Sequence, residues 1–140
     1  MPGANPIHAS CVALGGRGVL IMGAAGSGKS ALALELMAYG AALVADDRTC
    51  LRATPGALIA SAPASIAGLI EARGVGILHA DPLPEAEVVL AVDMEQVETD
   101  RLPPRREISL LGRKVSLLHK AENAHFPAAI LQYLKRGRSA

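Results

Sequence analysis

Gly23-Ala24-Ala25-Gly26-Ser27-Gly28-Lys29-Ser30 is the stretch of this chain that decides the fold. It follows the apolar run Val19-Leu20-Ile21-Met22 directly, and from Ser30 to Tyr39 comes a run of strong helix formers ended by Gly40, where a left-handed C-terminal cap belongs. Strand, glycine-rich loop and helix in this order are the context in which the GxxxxGK[ST] spacing means a phosphate cradle. The glycines let the backbone take positive φ and turn successive N–H groups, together with the helix N-terminus, toward one anion. In this reading residues 23 to 30 wrap the phosphates, Lys29 reaches the β/γ-phosphates and Ser30 holds Mg²⁺. A ligand-free glycine turn is the alternative, and the order of the elements argues against it.

The rest of the composition narrows the class. A chain of 140 residues is expected to form one domain with a real core. Hydrophobic residues make up 51% and aromatics only 2%, so the core is packed by small aliphatics and offers few platforms for stacking bases. With 14 Lys+Arg against 13 Asp+Glu there is no electrostatic case for nucleic acid as a partner. Cys11 and Cys50 fit neither a disulfide framework nor a zinc spacing, and read as buried reduced thiols. No apolar run approaches the roughly 18 residues of a spanning helix, and the N-terminus carries no basic segment before an apolar one. The expectation is a soluble, cytoplasmic protein that does not engage membranes.

Outward from the loop, Ile7 to Leu14 and Val19 to Met22 read as a hairpin turned at Gly15-Gly16-Arg17-Gly18. The helix after the loop, with Glu35 as its single charge, is expected to be largely buried. Leu43-Val44-Ala45 is a short strand ending in Asp46-Asp47. A second hairpin turns at Thr54-Pro55-Gly56, and Ile66 to Glu71 reads equally as helix or strand. Val88 to Val92 is a buried strand, Glu95 to Glu107 a charged and mobile loop, and Ile108 to Leu118 a third hairpin about Gly112-Arg113. Phe126 to Lys135 is a terminal helix with Phe126, Ile130, Leu131 and Leu134 on one side, followed by a basic, solvated tail. One helix followed by several short strands departs from the usual alternation of strand and long helix, and predicts a β-rich α/β domain.

Several side chains are candidates for chemistry. Adjacent carboxylates at a strand end opposite a phosphate loop suit a metal contact and a general base, which singles out Asp46 and Asp47 over a plain strand-ending turn. Glu71 and Arg73, beside Gly74 and Gly76, could share a metal and bind phosphate, although a surface ion pair on a bulged strand explains them equally well. Arg101 reads as a solvated loop arginine or a transition-state cation, and His8 as a strand histidine brought toward the loop end of the sheet.

His8-Ala9-Ser10-Cys11-Val12-Ala13, the phosphate loop with its preceding Gly16-Arg17-Gly18-Val19, Leu43-Val44-Ala45-Asp46-Asp47 and Glu71-Ala72-Arg73-Gly74-Val75-Gly76-Ile77 together resemble the catalytic domain of HPr kinase/phosphorylase. The likeness is strong over residues 7 to 78 and thinner to about 118. It implies an α/β, β-rich phosphate-loop domain of the HPr kinase and phosphoenolpyruvate carboxykinase type, assembled as a hexamer. It also implies an ATP- and Mg²⁺-dependent protein serine kinase whose partner is HPr or an HPr-like phosphocarrier. Gly23, Ala24, Ala25, Gly26, Ser27, Gly28, Lys29 and Ser30 would bind ATP with Arg73, and Ser30 and Glu71 would hold the cation. Asp47 would accept the serine proton, with Asp46, His8, Lys29 and Arg101 as further catalytic positions.

The chain also departs from that pattern. It looks like a short, catalytic-domain-only form. His79-Ala80-Asp81-Pro82 replaces a small-residue segment of the family, and Leu118-His119-Lys120-Ala121-Glu122-Asn123 replaces an arginine-rich one tied to dephosphorylation, keeping charge only at Lys120. A phosphorylase needs a strong anion clamp, so the expectation favours the kinase half. A small-molecule kinase on the same loop and a non-catalytic ATP-sensing adaptor are the competing readings.

Overall fold

The computed structural model describes residues 5–140. In chain order the elements are β1 (Ile7–Leu14), β2 (Arg17–Met22), α1 (Lys29–Ala38), β3 (Ala42–Ala45), β4 (Arg48–Ala53), β5 (Leu58–Ser61), a short 3₁₀ turn (Ala64–Ile66), β6 (Leu69–Ala72), β7 (Gly76–His79), β8 (Glu85–Val97), β9 (Arg106–Leu110), β10 (Arg113–Lys120) and α2 (Phe126–Arg136). The three expected hairpins are present, and the ambiguous Ile66–Glu71 piece resolves into the end of the 3₁₀ turn and β6, paired only with β7.

The main sheet closes on itself. β1 pairs with β2, β2 with β8, β8 with β5, β5 with β4, and β4 returns to the start of β1. A ring of so few strands leaves a narrow interior, which explains why small residues line it: Ala9, Cys11, Ala13, Ala60, Ala86 and Ala91 are all buried there. Burial pushes the Cys11 thiol up to about 12, so it stays protonated and unreactive, while Cys50 is half-buried and also free.

The opposite face of the sheet carries both helices. Val12 of β1, Val19 and Ile21 of β2 and Leu90 and Val92 of β8 meet Leu32 and Leu36 of α1 and Ile130 and Leu134 of α2. Strand alternation alone would put Val88 and Leu90 on one face. The register of β8 against β2 shifts between Gly18↔Val88 and Val19↔Leu90, which inserts Val89 as a bulge and sends Val88 to the ring interior and Leu90 to the helix face.

Two sequence expectations need correction. α1 is buried on one face only: Leu32, Ala33 and Leu36 are covered while Ala31, Glu35 and Ala38 are exposed, because the helix lies on the sheet surface with solvent on its outer side. The expected loop from Glu95 to Glu107 is shorter, since β8 runs on to Val97 and β9 begins at Arg106. The remaining segment is tethered rather than free. Glu98 pairs with Arg106, Arg105 donates to Ser139 O (2.8 Å) and Arg138 donates to Pro103 O, so the basic tail is part of the fold. Desolvation raises the pKa of the Glu98 carboxyl, but hydrogen bonds from the Asp100 and Thr99 amides and from Arg106, with the Arg106 charge, outweigh it and hold the carboxyl below its ordinary range.

The strand directions fix where a site can form. β2, β8 and β10 run parallel, and β3, antiparallel to β1, runs the same way as β2. Their C-terminal ends therefore share one edge, where ligands bind in open α/β sheets, and the phosphate loop, Asp46-Asp47, Glu95 and Lys120 all gather there.

Candidate functional site

The loop between β2 and α1 has the geometry its glycines require. Gly23 sits at φ 149°, and a Cβ there would stand 2.6 Å from Ser27 Oγ, so no other residue fits without displacing that hydroxyl. Gly28 caps α1 at φ 98°. Ser27 N–H donates to Ala24 O (3.1 Å), closing the turn, and Ser27 Oγ is buried inside the loop with no protein partner. An unpartnered buried hydroxyl in a ring of amides is a place where a phosphate oxygen would supply the missing acceptor.

Lys29 is the first residue of α1 and only 5% exposed. Its Nζ donates to Gly23 O (2.8 Å) and Ala24 O (3.2 Å) and lies 3.6 Å from Asp47 Oδ1. The ammonium is thus folded onto the loop it would serve, rather than extended from it. Ala24 N–H, on the same loop, donates to Glu95 Oε2 (3.0 Å), a carboxylate at the end of β8 whose own N–H donates to Asp93 Oδ1 (2.9 Å).

Adjacent in sequence, Asp46 and Asp47 have opposite environments. Asp46 is buried and fully engaged: Oδ1 accepts from Ser30 Oγ (2.6 Å) and Ser10 Oγ (3.0 Å), and Oδ2 accepts from Glu71 N–H (3.0 Å). It ties the phosphate loop, β1 and β6 into one knot. Asp47 takes a left-handed conformation at φ 66°, which turns its side chain away from that of Asp46 and leaves it 60% exposed beside Lys29. Ser10 Oγ accepts from Asp47 N–H (3.0 Å), and Ala9 N–H donates to Asp47 O (3.1 Å), so the turn is held by backbone and serine together.

Lys29, Ser30, Asp46, Asp47 and the backbone of Glu71 are therefore brought together. His8, Arg73 and Arg101 are exposed, and the structure gives them no hydrogen bond or ion pair into this group. His8 is the second residue of β1, opposite Arg48 and on the same strand face as Ser10, Arg73 lies in the β6–β7 turn two residues past Glu71, and Arg101 lies in the tethered loop after β8. Sequence reasoning missed Ser10 and Glu95. A serine in the middle of an apolar strand is the available signal for Ser10, whereas the charged run from Glu95 onward reads as loop and hides the place of Glu95 near the end of β8.

A divalent cation would find hard oxygen donors here in the Ser30 hydroxyl and the Asp46 carboxylate, whereas Glu71 reaches this group through its backbone N–H and its side chain is exposed. No cluster of three or more His, Cys, Asp or Glu in metal-binding geometry occurs among the described residues. That donor set fits Mg²⁺, which is held by one or two carboxylates with phosphate and water completing its shell, and does not fit a metal that needs an all-protein cage.

Comparison with known proteins decides the family. The family model described as HPr Serine kinase C-terminal domain matches residues 2–110. The chain belongs to this family. Among its HPr kinase relatives, the HPr kinase/phosphorylase of Clostridium botulinum strain Eklund 17B is 37% identical over 67% of this chain and 33% of its own length. That of Streptococcus thermophilus strain LMD-9 is 38% identical over 78% of this chain and 40% of its own length. That of Brevibacillus brevis is 50% identical over 52% of this chain and 24% of its own length. The chain thus spans well under half the length of these curated relatives. The solved structure of the Hpr(Ser) kinase/phosphatase from Coxiella burnetii superposes with TM-score 0.78 at 30% identity over 94% of each chain, so the HPr kinase likeness extends past residue 110 into β10 and α2. The β-rich α/β fold with two helices is an HPr kinase fold. No helix among the described residues is long and apolar enough to cross a membrane.

Proposed function

We propose that this chain catalyses transfer of the γ-phosphoryl group of ATP to a serine hydroxyl of HPr or an HPr-like phosphocarrier, with Mg²⁺, as a protein serine kinase. The observation that carries the reading is the junction of one buried and one exposed aspartate with the phosphate loop: Asp46 on Ser30, Asp47 on Lys29. It separates a residue fit to organise the cation from one free to meet a substrate.

The steps follow from these positions. The loop amides and Lys29 neutralise charge on the transferring group, for which Lys29 must leave the carbonyls of Gly23 and Ala24. Glu95 must also give up Ala24 N–H to a phosphate oxygen, since an anion on that amide competes with the substrate. Asp47 accepts the proton of the acceptor serine as its oxygen bonds to the γ-phosphorus, and ADP leaves with the bridging oxygen. Ser30, Asp46 and Glu71 would hold Mg²⁺, which supplies electrostatic neutralisation of the β- and γ-oxygens. Arg73 in the β6–β7 turn and Arg101 in the tethered loop after β8 serve as phosphate ligands from exposed positions, and His8 borders the acceptor side. Lys120, the last residue of β10, is the only lysine or arginine between Leu118 and Asn123, so the kinase direction is favoured over dephosphorylation. We place the protein in the cytoplasm, with copies of itself as partners in the hexamer that the family likeness implies.

Incubation with γ-labelled ATP, Mg²⁺ and HPr from the same organism tests this. Label on a serine of HPr is expected. Intact ATP binding with no labelled HPr would instead favour the adaptor reading, and label on a small metabolite the small-molecule kinase.

A further inference from the structure

Beside the phosphate loop, β8 stops following its neighbours. Its pairing with β2 ends at Met22↔Asp93, and its register against β10 jumps from His119↔Asp93 to Lys120↔Val97, so Met94, Glu95 and Gln96 stand opposite no residue of either strand. Surplus residues between two paired positions must arch out of the strand line. Both feet of the arch are fixed: Asp93 is paired on each side, and just past Val97 the Glu98 N–H donates to Lys120 O (2.8 Å). Met94 packs into the core and against the loop, where Cβ atoms added at Gly23 and Gly28 would stand 3.2 Å from Met94 Cβ and 3.5 Å from Met94 Cε. Glu95, at the middle of the arch, is exposed, and its Oε2 accepts from Ala24 N–H (3.0 Å).

We propose that this arch is an autoinhibitory latch: Glu95 holds the empty loop in a self-satisfied state and lowers its affinity for every phosphate ligand that needs the Ala24 amide. The proposal rests on the phosphate-loop reading given above and adds to it a control built into the chain. In the empty loop the Ala24 peptide unit is bonded at both ends. Its N–H is on Glu95, and its carbonyl accepts from Ser27 N–H (3.1 Å) and from Lys29 Nζ (3.2 Å). One amide donor of the cradle and its cation are thus both engaged internally.

The two engagements differ in how they can be released. Lys29 is buried and donates to two carbonyls, whereas Glu95 is exposed and holds the loop by a single hydrogen bond. Glu95 is therefore the contact that an arriving ligand meets first. Among the described residues it is the only carboxylate on a backbone amide of the loop. A carboxylate oxygen and a phosphate oxygen carry the same sign of charge and the same acceptor chemistry, so they exclude each other from one N–H. Because the feet of the arch are fixed and Glu95 N–H is held by Asp93 Oδ1 (2.9 Å), release needs only rotation of the Glu95 side chain and leaves the sheet intact. A loop that is open for only a fraction of the time binds its ligand more weakly by that fraction.

The test is calorimetry of Mg²⁺-tripolyphosphate on wild type, Glu95→Ala, Glu95→Gln and Glu35→Gln. The last removes the same charge from an exposed position on α1 that bonds no loop amide. Glu95→Ala should bind about three- to thirtyfold tighter than wild type, the range for one charge-assisted hydrogen bond made at the surface. Glu95→Gln keeps an uncharged acceptor and should gain less. Glu35→Gln should stay within about twofold of wild type. In the ligand-free ¹⁵N-labelled chain the Ala24 amide resonance should move in Glu95→Ala and not in Glu35→Gln, and the rest of the spectrum reports that the fold is kept. Equal tightening in Glu35→Gln would reduce Glu95 to one negative charge among several and overturn the latch. Unchanged or weaker binding in Glu95→Ala, beside normal binding by wild type, would overturn it too and leave the phosphate-loop reading intact. No binding to wild type or to any variant would remove that reading and the inference with it.

Discussion

Asp47→Asn is expected to lower phosphoryl transfer to HPr by about 10²–10⁴-fold, the range for loss of a positioned general base. Mg²⁺-ATP binding and stability should change little. Asn tolerates the left-handed backbone that Asp47 adopts at φ 66°, so the turn survives the exchange. The lost ion pair to Lys29 involves a carboxylate that is 60% exposed, and such pairs contribute at most about 1 kcal/mol. Single-turnover assays with saturating ATP, beside a thermal melt, separate the two effects. A variant that keeps most of its rate would remove Asp47 from the chemistry, and one that loses nucleotide binding as well would make it part of the cradle instead.

Asp46→Ala should act in the other order, on the fold first. It removes the acceptor of the Ser10 and Ser30 hydroxyls and of Glu71 N–H at a position only 8% exposed. Buried donors left without an acceptor after losing hydrogen bonds to a charged group cost about 2–3 kcal/mol, which lowers Tm by roughly 6–12 °C in a chain of this size. Nucleotide binding should fall with it, because Ser30 loses the partner that fixes its hydroxyl. Asp46→Asn keeps one carbonyl acceptor and should recover part of the stability. An Asp46→Ala melt that overlays the wild type would show that the junction of loop, β1 and β6 is held by something else.

The parts of the architecture written into local sequence were legible from it. Glycine turns and alternating apolar residues marked the hairpins about Gly15-Gly16, Thr54-Pro55-Gly56 and Gly112, and the loop glycines carried their geometry in their spacing. Long-range facts were not. Nothing near Val89 announces a bulge, because it arises from the register between β8 and β2. The closure of β4 onto Ile7 and His8 is likewise a pairing between distant segments. Charged residues from Glu95 onward looked like loop, although β8 carries Glu95 and Gln96 past the end of the core. At the site, the Asp46-Asp47 pair was visible as a pair. Its division into a buried and an exposed carboxylate depends on the left-handed turn at Asp47 and on the Ser10 hydroxyl, which only the folded chain supplies.

The central claim is that the amides of residues 23 to 30 surround a polyphosphate with the two aspartates at its edge. Titrating Mg²⁺-ATP into the ¹⁵N-labelled chain and following backbone amides by NMR tests it most directly. Large, saturable shifts should concentrate at Gly26 to Ala31, with smaller ones at Ala24, Asp47 and Glu71, and should vanish in Lys29→Met. Saturable shifts confined to other parts of the chain, or none at all, would contradict the account.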